Sequence, residues 1–342
     1  MSSAELLTSS YDFHLPDELI ASHPASPRDS AKLLVYNRKT DTITHAIFKD
    51  FQNYIPKNCA IIFNNTKVIK ARLYGKKQSG GKIELLINRP LNATEINVYI
   101  RGKIKVDTKL FFDDDLVAVV KKLNDDGSRV VTFTTNKNLL RFEELLPIID
   151  KIGHVPLPPY IQRDDNKEDE SEYQSVFAKE EGAVAAPTAS LHFTPEQHQE
   201  VCKSFKHGFV TLHVGSGTFK PVEAEIITDH PMHSEYYEIT PHAKELLDSD
   251  IPILSIGTTS TRTIEYYARF PHTTSGEANL FLHPNNKPKR VKHLLTNFHL
   301  PKSTLLMLVA SFVGVDKAQK LYKEAIKERY RFYSYGDAML II

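Results

Sequence analysis

The chain has 342 residues, of which 41% are hydrophobic and 25% charged, a composition that is typical of a globular protein and excludes a wholly disordered chain. At ~150 residues per domain, this length suits about two domains. The 43 Lys and Arg nearly balance the 42 Asp and Glu, so any nucleic-acid site must be a local patch. The two cysteines, Cys59 and Cys202, predict no disulfide framework and favour a reducing compartment.

The chain carries no segment that predicts export or membrane insertion. Its N-terminus lacks the basic region followed by an apolar region that marks a secretory signal. The longest strongly apolar run, 304–315, is shorter than the ~20 residues that span a bilayer, and it predicts a buried helix. We therefore expect a cytoplasmic protein that does not associate with a membrane.

The first third of the chain has the pattern of a β-rich protein. KLLVYNR (32–38) and CAIIFNNT (59–66) predict strands. From about 74 to 135 the chain contains short runs rich in β-branched residues: KIELLI, EINVYI, KIKV, LVAVV and RVVTFTT. The last two enclose Asp126-Gly127 and predict a hairpin whose turn needs the positive φ of Gly127. Such a series of strands predicts a small barrel or sandwich.

Helical periodicity returns after this region. The segment 138–153 ends at Gly153, a plausible stop, and places five apolar residues on one broad face: Leu139, Leu140, Phe142, Leu145 and Leu146. From 182 onward, the apolar strands FVTLHVG and IPILSIG alternate with helical segments, which indicates a parallel sheet.

These patterns predict an α/β fold class. The main domain would have a mostly parallel sheet formed by both chain ends, 1–66 and 151–342, and a small all-β domain, a barrel or a sandwich, would be inserted at 67–150. The segment 163–173 contains six acidic residues among eleven and predicts a mobile, solvated loop. The alternative is an acidic lid that becomes ordered over a ligand.

The strand IPILSI ends in a turn that could bind an anion. Gly257, Thr258, Thr259 and Ser260 lead into a helix, whose first N–H groups and dipole favour negative charge. Arg262 could clamp a carboxylate with two hydrogen bonds. Alternatively, the hydroxyl groups only cap the helix.

A second glycine turn follows the strand FVTLHV. Gly215, Gly217 and Thr218 would allow a ligand or another backbone to approach closely. Two such turns at neighbouring strand ends predict a ligand site, because ligands bind at the carboxyl edge of an open α/β sheet.

Histidines cluster in the second half of the chain: His192, His213, His230, His233 and His299. Because they show neither an HExxH motif nor a cysteine cluster, we predict no metal site. His233 and Glu235 would share one face of an extended segment and could address one substrate. The alternative is a surface turn with a hydrogen-bonded histidine.

Polar groups also mark a strand end and a basic loop. Asn64 and Asn65 close the strand AIIF, with Arg72 following, and could bind a base or order the crossing into the barrel. The sharpest basic patch could contact a phosphate backbone and comprises Lys287, Lys289, Arg290 and Lys292.

Eight motifs carry a resemblance to a known family. They are YDFHLPDELIASHPASPRDSAKLLVYNR (11–38), IFNNTKVIKARLYG (62–75), GAVAAPTASLHFT (182–194), HVGSGTFKPV (213–222), MHSEYYEI (232–239), GTTSTRTIE (257–265), TNFHLPKSTLLMLVASF (296–312) and YRFYSYGDAMLI (330–341). In this order they closely resemble the S-adenosylmethionine:tRNA ribosyltransferase-isomerases of queuosine synthesis, the QueA family. The segment 282–291 departs from the family's Pro-Gly-aromatic turn but adds positive charge.

The resemblance implies an α/β domain with an inserted β-barrel and a tRNA-modifying reaction. The ribosyl part of S-adenosylmethionine is transferred to 7-aminomethyl-7-deazaguanine at the tRNA wobble position and rearranges to an epoxycyclopentanediol. The products are epoxyqueuosine in tRNA, adenine and methionine. S-adenosylmethionine is therefore a consumed substrate, and we expect no cofactor, no metal and a monomer.

This chemistry needs a base for the C5′ proton, a donor for the departing adenine and an anion pocket. We assign the base to Glu235 or His233 and the proton donor to His192 or His299. The turn at 257–263 with Arg262 would hold the methionine carboxylate, and the segment 215–218 would line the ribose.

Two other functional classes compete with this interpretation. A non-catalytic RNA-binding protein would grip nucleic acid with the barrel, but the barrel has few aromatic residues for stacking. A metal-dependent hydrolase would need a set of ligands that the sequence does not show.

Overall fold

The computed structural model describes residues 3–215, 217 and 222–342, with the side chains of Ser3 and Ala4 excepted. Within these residues, both ends of the chain build one nine-stranded mixed sheet in the order β16-β14-β13-β3-β15-β17-β18-β1-β2. Its strands are β1 (Lys32–Asn37), β2 (Thr42–Ile47), β3 (Ala60–Asn64), β13 (His207–Leu212), β14 (Glu235–Ile239), β15 (Ile253–Ile256), β16 (Ser275–Ala278), β17 (Val291–Asn297) and β18 (Ala338–Ile341).

Parallel pairing is concentrated at the centre of this sheet. Strands β13, β3, β15 and β17 are parallel to one another, whereas β14 and β18 flank them in the antiparallel sense. A further parallel pairing joins β1 to β18. The predicted α/β fold with a sheet from both chain ends is confirmed, and the antiparallel strands lie outside the parallel centre.

Strand β3 shows why the centre of the sheet is apolar on both faces. Ala60 and Ile62 join one hydrophobic cluster, which includes residues of α4 and α5, while Ile61 and Phe63 join another on the opposite face. Successive side chains of a strand point to opposite faces, so a strand covered on both sides must be continuously apolar. Fully burying each Ile or Phe contributes about 1.5–3 kcal/mol.

Helices cover the faces of the sheet and one side of the barrel. Their bounds are α1 (Phe142–Ile152), α2 (Asp169–Glu172), α3 (Pro195–Ser204), α4 (Pro241–Asp248), α5 (Gly257–Tyr267), α6 (Thr304–Val313) and α7 (Val315–Lys327). The buried helix predicted for 304–315 is confirmed as α6. No helix of the described residues has the length and apolar character that crossing a membrane requires.

The inserted region forms a closed barrel. Its strands, all of which the structure describes, are β5 (Arg72–Lys77), β6 (Lys82–Pro90), β7 (Glu95–Arg101), β8 (Lys109–Phe111), β9 (Leu116–Leu123), β10 (Arg129–Thr135) and the short β11 (Asn138–Leu139). Pairing of β10 with β9 closes the ring. On the flank of the barrel, β4 (Thr66–Val68) pairs with β12 (Glu180–Ala183).

Several local predictions can be compared with the barrel. The predicted hairpin is confirmed as β9–β10, with Gly127 at φ +84°. Helix α1 ends before Gly153 as predicted, but of the predicted face Leu139 is exposed on β11. The predicted strand KIKV is wrong: residues 103–108 form a loop, in which the Asp107 N–H donates to the Val120 carbonyl of β9, and β8 begins at Lys109.

Candidate active site

The carboxyl ends of the parallel strands bring the predicted glycine turns to one edge of the sheet. Asn64 ends β3 between the ends of β13 and β15. Its side-chain amide donates to the Leu212 carbonyl and to Thr259 Oγ1, both at 3.1 Å. Its oxygen accepts the backbone N–H groups of Leu212 and Thr66 at 3.0 and 3.1 Å. Asn64 therefore ties three elements of this edge together.

Asn65 and Arg72 are also engaged within the protein. Thr211 donates to the Asn65 side-chain oxygen at 2.7 Å. Arg72 on β5 donates to the Leu157 carbonyl at 2.9 Å, and its Nε lies 3.3 Å from Glu84. Both side chains order the junction between sheet and barrel.

A narrow cavity of about 70 Å³, hereafter the edge cavity, opens beside the start of α5. Its walls include Tyr160, Gly257, Thr258, Thr259, His299 and Tyr333. Gly257 begins the helix with a φ of +88°, a conformation that side chains rarely adopt. The first N–H groups of a helix lack partners within the helix, so this end suits an anion.

The hydroxyl groups of this turn have different roles. Ser260 donates to the Ile256 carbonyl and Thr261 contacts the Gly257 carbonyl and Ser255, so both hydroxyls are engaged within α5 or at its start. Thr258 and Thr259 line the edge cavity, with Thr259 also accepting from Asn64. Ser260 is fully buried and does not line the cavity walls.

A wider cavity of about 390 Å³, hereafter the cleft, lies between the barrel and the sheet. Asn88, Asn97 and Tyr99 line it from the barrel. Gly215, Gly217, His213, His233, Ser234 and Glu235 line it from the sheet. The cleft therefore lies at the junction of the two units, where β13 ends and β14 begins.

Glu235 and Arg262 form an ion pair at the wall of the cleft, and each side chain is only 5% exposed. The other carboxylate oxygen of Glu235 accepts the N–H of Gly215 at 2.9 Å. Arg262 also donates to the carbonyls of Leu280 at 3.2 Å and His233 at 3.3 Å. The predicted clamp for a ligand carboxylate is thus directed at a carboxylate of the protein.

Gly217 lies against the ring of His233. A Cβ at Gly217 would come within 2.4 Å of His233 Cδ2, so a larger residue there would displace the ring. His233 lines both the cleft and a small adjoining pocket that Arg262 and Glu235 share. Thr218, the remaining predicted residue of this turn, lies outside the described residues.

The two predicted proton donors occupy different places. His299 lines the edge cavity, and its Nε2 lies 2.7 Å from Thr296 Oγ1. His192 is absent from the cavity walls and pairs with Asn297 Oδ1 at 3.1 Å. Burial lowers the pKa of His299 to about 3 and that of His192 to about 4, so both are neutral near pH 7.

The predicted basic patch lies near the amino-terminal end of β17, on the side of the sheet opposite the edge cavity. Lys287 and Lys289 precede β17, whose carboxyl end faces the edge cavity through Thr296. Arg290 donates to four backbone carbonyls at the end of α4 and just beyond it: Leu246, Leu247, Ser249 and Ile251. Lys287, Lys289 and Lys292 are exposed.

The acidic segment is anchored at Asp169, whereas most of its other residues are exposed, as the predicted solvated loop requires. Asp169 is fully buried at the start of α2, and Arg163 donates to both its oxygens at 2.6 and 2.7 Å. Tyr335 donates to the same carboxylate at 3.0 Å. The composition of the segment did not show that one acidic residue has these partners.

The sequence interpretation missed several wall residues. Tyr160 and Tyr333 flank the edge cavity with ring centroids 4.4 Å apart, and Asn88 and Tyr99 reach the cleft from the barrel. Tyr333 lies in the motif YRFYSYG, where Ser334 and Gly336 flank the neighbouring Tyr335, and this motif was the available signal. In the part of the chain that the structure describes, no group of three or more His, Cys, Asp or Glu could hold a metal ion.

The chain thus belongs to the class of α/β proteins with an inserted β-barrel and a polar cleft between the sheet and the barrel. The family model of queuosine biosynthesis proteins matches residues 8–341. The S-adenosylmethionine:tRNA ribosyltransferase-isomerase of Sulfurimonas denitrificans is 72% identical over 342 residues, with 100% of both chains covered. The protein of the same name from Nitratiruptor sp. is 61% identical over 337 residues, covering 98% of this chain and 99% of that one.

A solved structure agrees with these comparisons. The S-adenosylmethionine tRNA ribosyltransferase of Thermotoga maritima is 34% identical, covers 97% of this chain and 100% of its own, and has a TM-score of 0.54. The chain belongs to the family of queuosine biosynthesis proteins.

Proposed function

We propose that this chain is a tRNA-modifying ribosyltransferase-isomerase of queuosine synthesis. It transfers the ribosyl part of S-adenosylmethionine to the aminomethyl group of 7-aminomethyl-7-deazaguanine at the tRNA wobble position, isomerises it, and releases adenine and methionine. The observation that carries the proposal is the 72% identity to a protein of that name along the whole chain. The cleft supports it, because a carboxylate and a histidine meet there beside a glycine turn.

S-adenosylmethionine is the substrate that we place at the sheet edge. The start of α5 supplies N–H groups suited to its carboxylate, and the glycine turn at Gly215 and Gly217 lies next to the ribose. The modified base enters from the cleft, between the barrel and β14. Val214 lines the edge cavity and Gly215 the cleft, so one short segment separates the two proposed subsites.

The proton at C5′, next to the sulfonium, is taken by Glu235 or His233, both of which line the cleft. Arg262 and the Gly215 N–H orient the Glu235 carboxylate, so Arg262 is a positioning residue in this proposal. His299 donates a hydrogen bond to the departing adenine. We choose it over His192 because His299 lines the edge cavity.

The test is the release of adenine from S-adenosylmethionine by the purified chain. We expect release only with tRNA that carries the aminomethyl precursor base, measured by chromatography. The control is the same tRNA with unmodified guanine. An RNA-binding protein would leave S-adenosylmethionine intact, and loss of activity to a chelator would indicate a metal-dependent hydrolase.

The proposal also covers the domain bounds, the oligomeric state and the cellular location of the protein. We propose an α/β domain at 1–66 and 151–342 with the barrel domain at 67–150, acting as a monomer in the cytoplasm, where its tRNA substrate occurs. Light scattering of the purified chain would give the mass of one chain. A mass of two chains would overturn the monomer.

A further inference from the structure

The barrel is the positively charged part of the chain. Residues 67–150 contain 16 Lys and Arg against 11 Asp and Glu, a net charge of +5, while the remaining residues carry −4. The whole-chain value of +1 conceals this asymmetry. Separated charge of this kind attracts a polyanion to the basic unit.

The outward face of β6 and β7 leads from the cleft toward basic side chains. Asn97 and Tyr99 line the cleft, and Arg101 follows two residues later on the same face of β7. Tyr99 pairs with Leu86, and Arg101 pairs with Glu84 farther from the cleft. From Asn97 to Lys103 the chain advances by six residues, about 20 Å at ~3.3 Å per residue.

This face ends at a cluster of lysines, hereafter the basic rim. The rim lies where the β5–β6 hairpin meets the loop before β8, because Lys77 Nζ donates to the Lys103 carbonyl at 2.7 Å. Lys76 pairs with Lys82 across this hairpin, and Lys109 pairs with Val119 on β9, two residues before Lys121. The rim comprises Lys76, Lys82, Lys103, Lys105, Lys109 and Lys121, all exposed.

The rim differs from the basic patch at 287–292 in the partners of its side chains and in its position on the protein. In the described part of the chain, its six lysines form no ion pair within 4.0 Å. It is continuous with the barrel side of the cleft, whereas Lys287, Lys289 and Lys292 lie near the opposite edge of the sheet. Arg290 of that patch already has four carbonyl partners.

We propose that the outward face of β6–β7 and the basic rim bind the phosphate backbone of the tRNA strand whose wobble nucleotide enters the cleft. This docking surface rests on the proposed function. A path of about 20 Å is long enough to contact several successive phosphates of one RNA strand. Lysine contacts to phosphate position an RNA without reading its sequence.

The test compares four triple variants with equal loss of charge. The rim variant is Lys103→Ala, Lys105→Ala and Lys109→Ala, and a second rim variant is Lys76→Ala, Lys82→Ala and Lys121→Ala. The rival variant is Lys287→Ala, Lys289→Ala and Lys292→Ala. The control is Lys57→Ala, Lys203→Ala and Lys206→Ala, which are exposed lysines that belong to neither the rim nor the rival patch.

Binding is measured as the fluorescence anisotropy of a labelled anticodon stem–loop RNA at several salt concentrations, without S-adenosylmethionine. We expect both rim variants to raise Kd roughly ten- to hundredfold at 0.1 M salt and to flatten the slope of log K against log salt by about 2–3, since each phosphate contact adds about 0.7–0.9. In turnover they should raise KM for tRNA with little change in kcat.

The proposal is overturned if the rim variants bind like the control, if the rival variant alone weakens binding, or if all triples weaken it equally. Melting curves show whether each variant is folded, and the two rim variants do not share a residue. Because this measurement needs no turnover, it separates the two proposals. If RNA binding depends on the rim but no adenine is released, the proposed function is overturned and the proposed docking surface is supported.

Discussion

Glu235 and Arg262 form a buried ion pair that joins the first residue of β14 to the second turn of α5. The two residues are neighbours in space and 27 residues apart in sequence. Since removing one partner leaves a buried charge uncompensated, we expect Arg262→Ala to lower the free energy of unfolding by about 3–5 kcal/mol. Urea denaturation measures the change.

The matched control is Arg89→Ala, which breaks an ion pair with Glu277 whose side chains are 45% and 46% exposed. Exposed pairs contribute about 0–1 kcal/mol. Equal losses in the two variants would show that burial of the Glu235–Arg262 pair has no energetic consequence.

Glu235→Gln and His233→Ala distinguish the two candidate bases. The variant that lacks the proton acceptor should lose roughly 10²–10⁴-fold in the rate of adenine release. Single-turnover kinetics with saturating tRNA measure the chemical step, and melting curves establish that each variant is folded. Near-normal rates in both variants would refute the assignment of the base.

Asn64→Ala should destabilise the protein more than Asn65→Ala. Among the described residues, the Asn64 side chain makes four hydrogen bonds and is fully buried, whereas the Asn65 side chain makes one. Each buried group left without a partner costs about 1–3 kcal/mol. Chemical denaturation gives the comparison, and a larger loss for Asn65→Ala would contradict it.

The buried histidines predict a loss of stability in mild acid. Burial lowers the pKa of His299 to about 3 and that of His192 to about 4, from an ordinary 6.5. The unfolded chain therefore binds protons below pH ~6.5 that the folded chain does not, and stability falls as the pH drops toward 5. Each histidine contributes a slope of at most about 1.4 kcal/mol per pH unit.

Urea unfolding at pH 7.5, 6 and 5 measures this slope. His299→Gln should flatten it by one histidine's share. His242→Gln is the control, because this side chain is 67% exposed and meets solvent in both states. An unchanged slope for His299→Gln would contradict the prediction.

Asp169 anchors the acidic segment. Although burial raises its pKa, hydrogen bonds from Arg163, the Asn166 backbone and Tyr335 bring it below the ordinary 3.8. Asp169→Ala leaves Arg163 without its partner, and we expect faster proteolytic cleavage within 163–173 and a loss of about 3–5 kcal/mol. Glu168→Gln, at an exposed position, should behave as the unchanged chain; equal cleavage in both would contradict the role of Asp169.

Sequence patterns predicted the framework but missed some partners. Apolar strands such as CAIIFNNT identified β3, and the carboxyl-edge rule brought Asn64, Gly215 and Gly257 to one edge. The strand predicted at KIKV failed because a short run rich in β-branched residues does not by itself show that a neighbouring strand is available. The sequence predicted that Arg262 and Arg290 would bind an anionic ligand. In the structure, Arg262 pairs with a carboxylate of the protein and Arg290 donates to backbone carbonyls.

The order of apolar runs and turns along the chain was sufficient by itself to determine the α/β sheet, the inserted all-β region and the edge where the glycine turns meet. These features depend on local periodicity and chain direction, which a sequence carries directly. Only the tertiary structure decided that Glu235 faces Arg262, that His299 is buried and neutral, and that six lysines without an ion pair to any described residue come together on the barrel. Charge and solvation depend on residues distant in sequence, and folding alone brings those residues together.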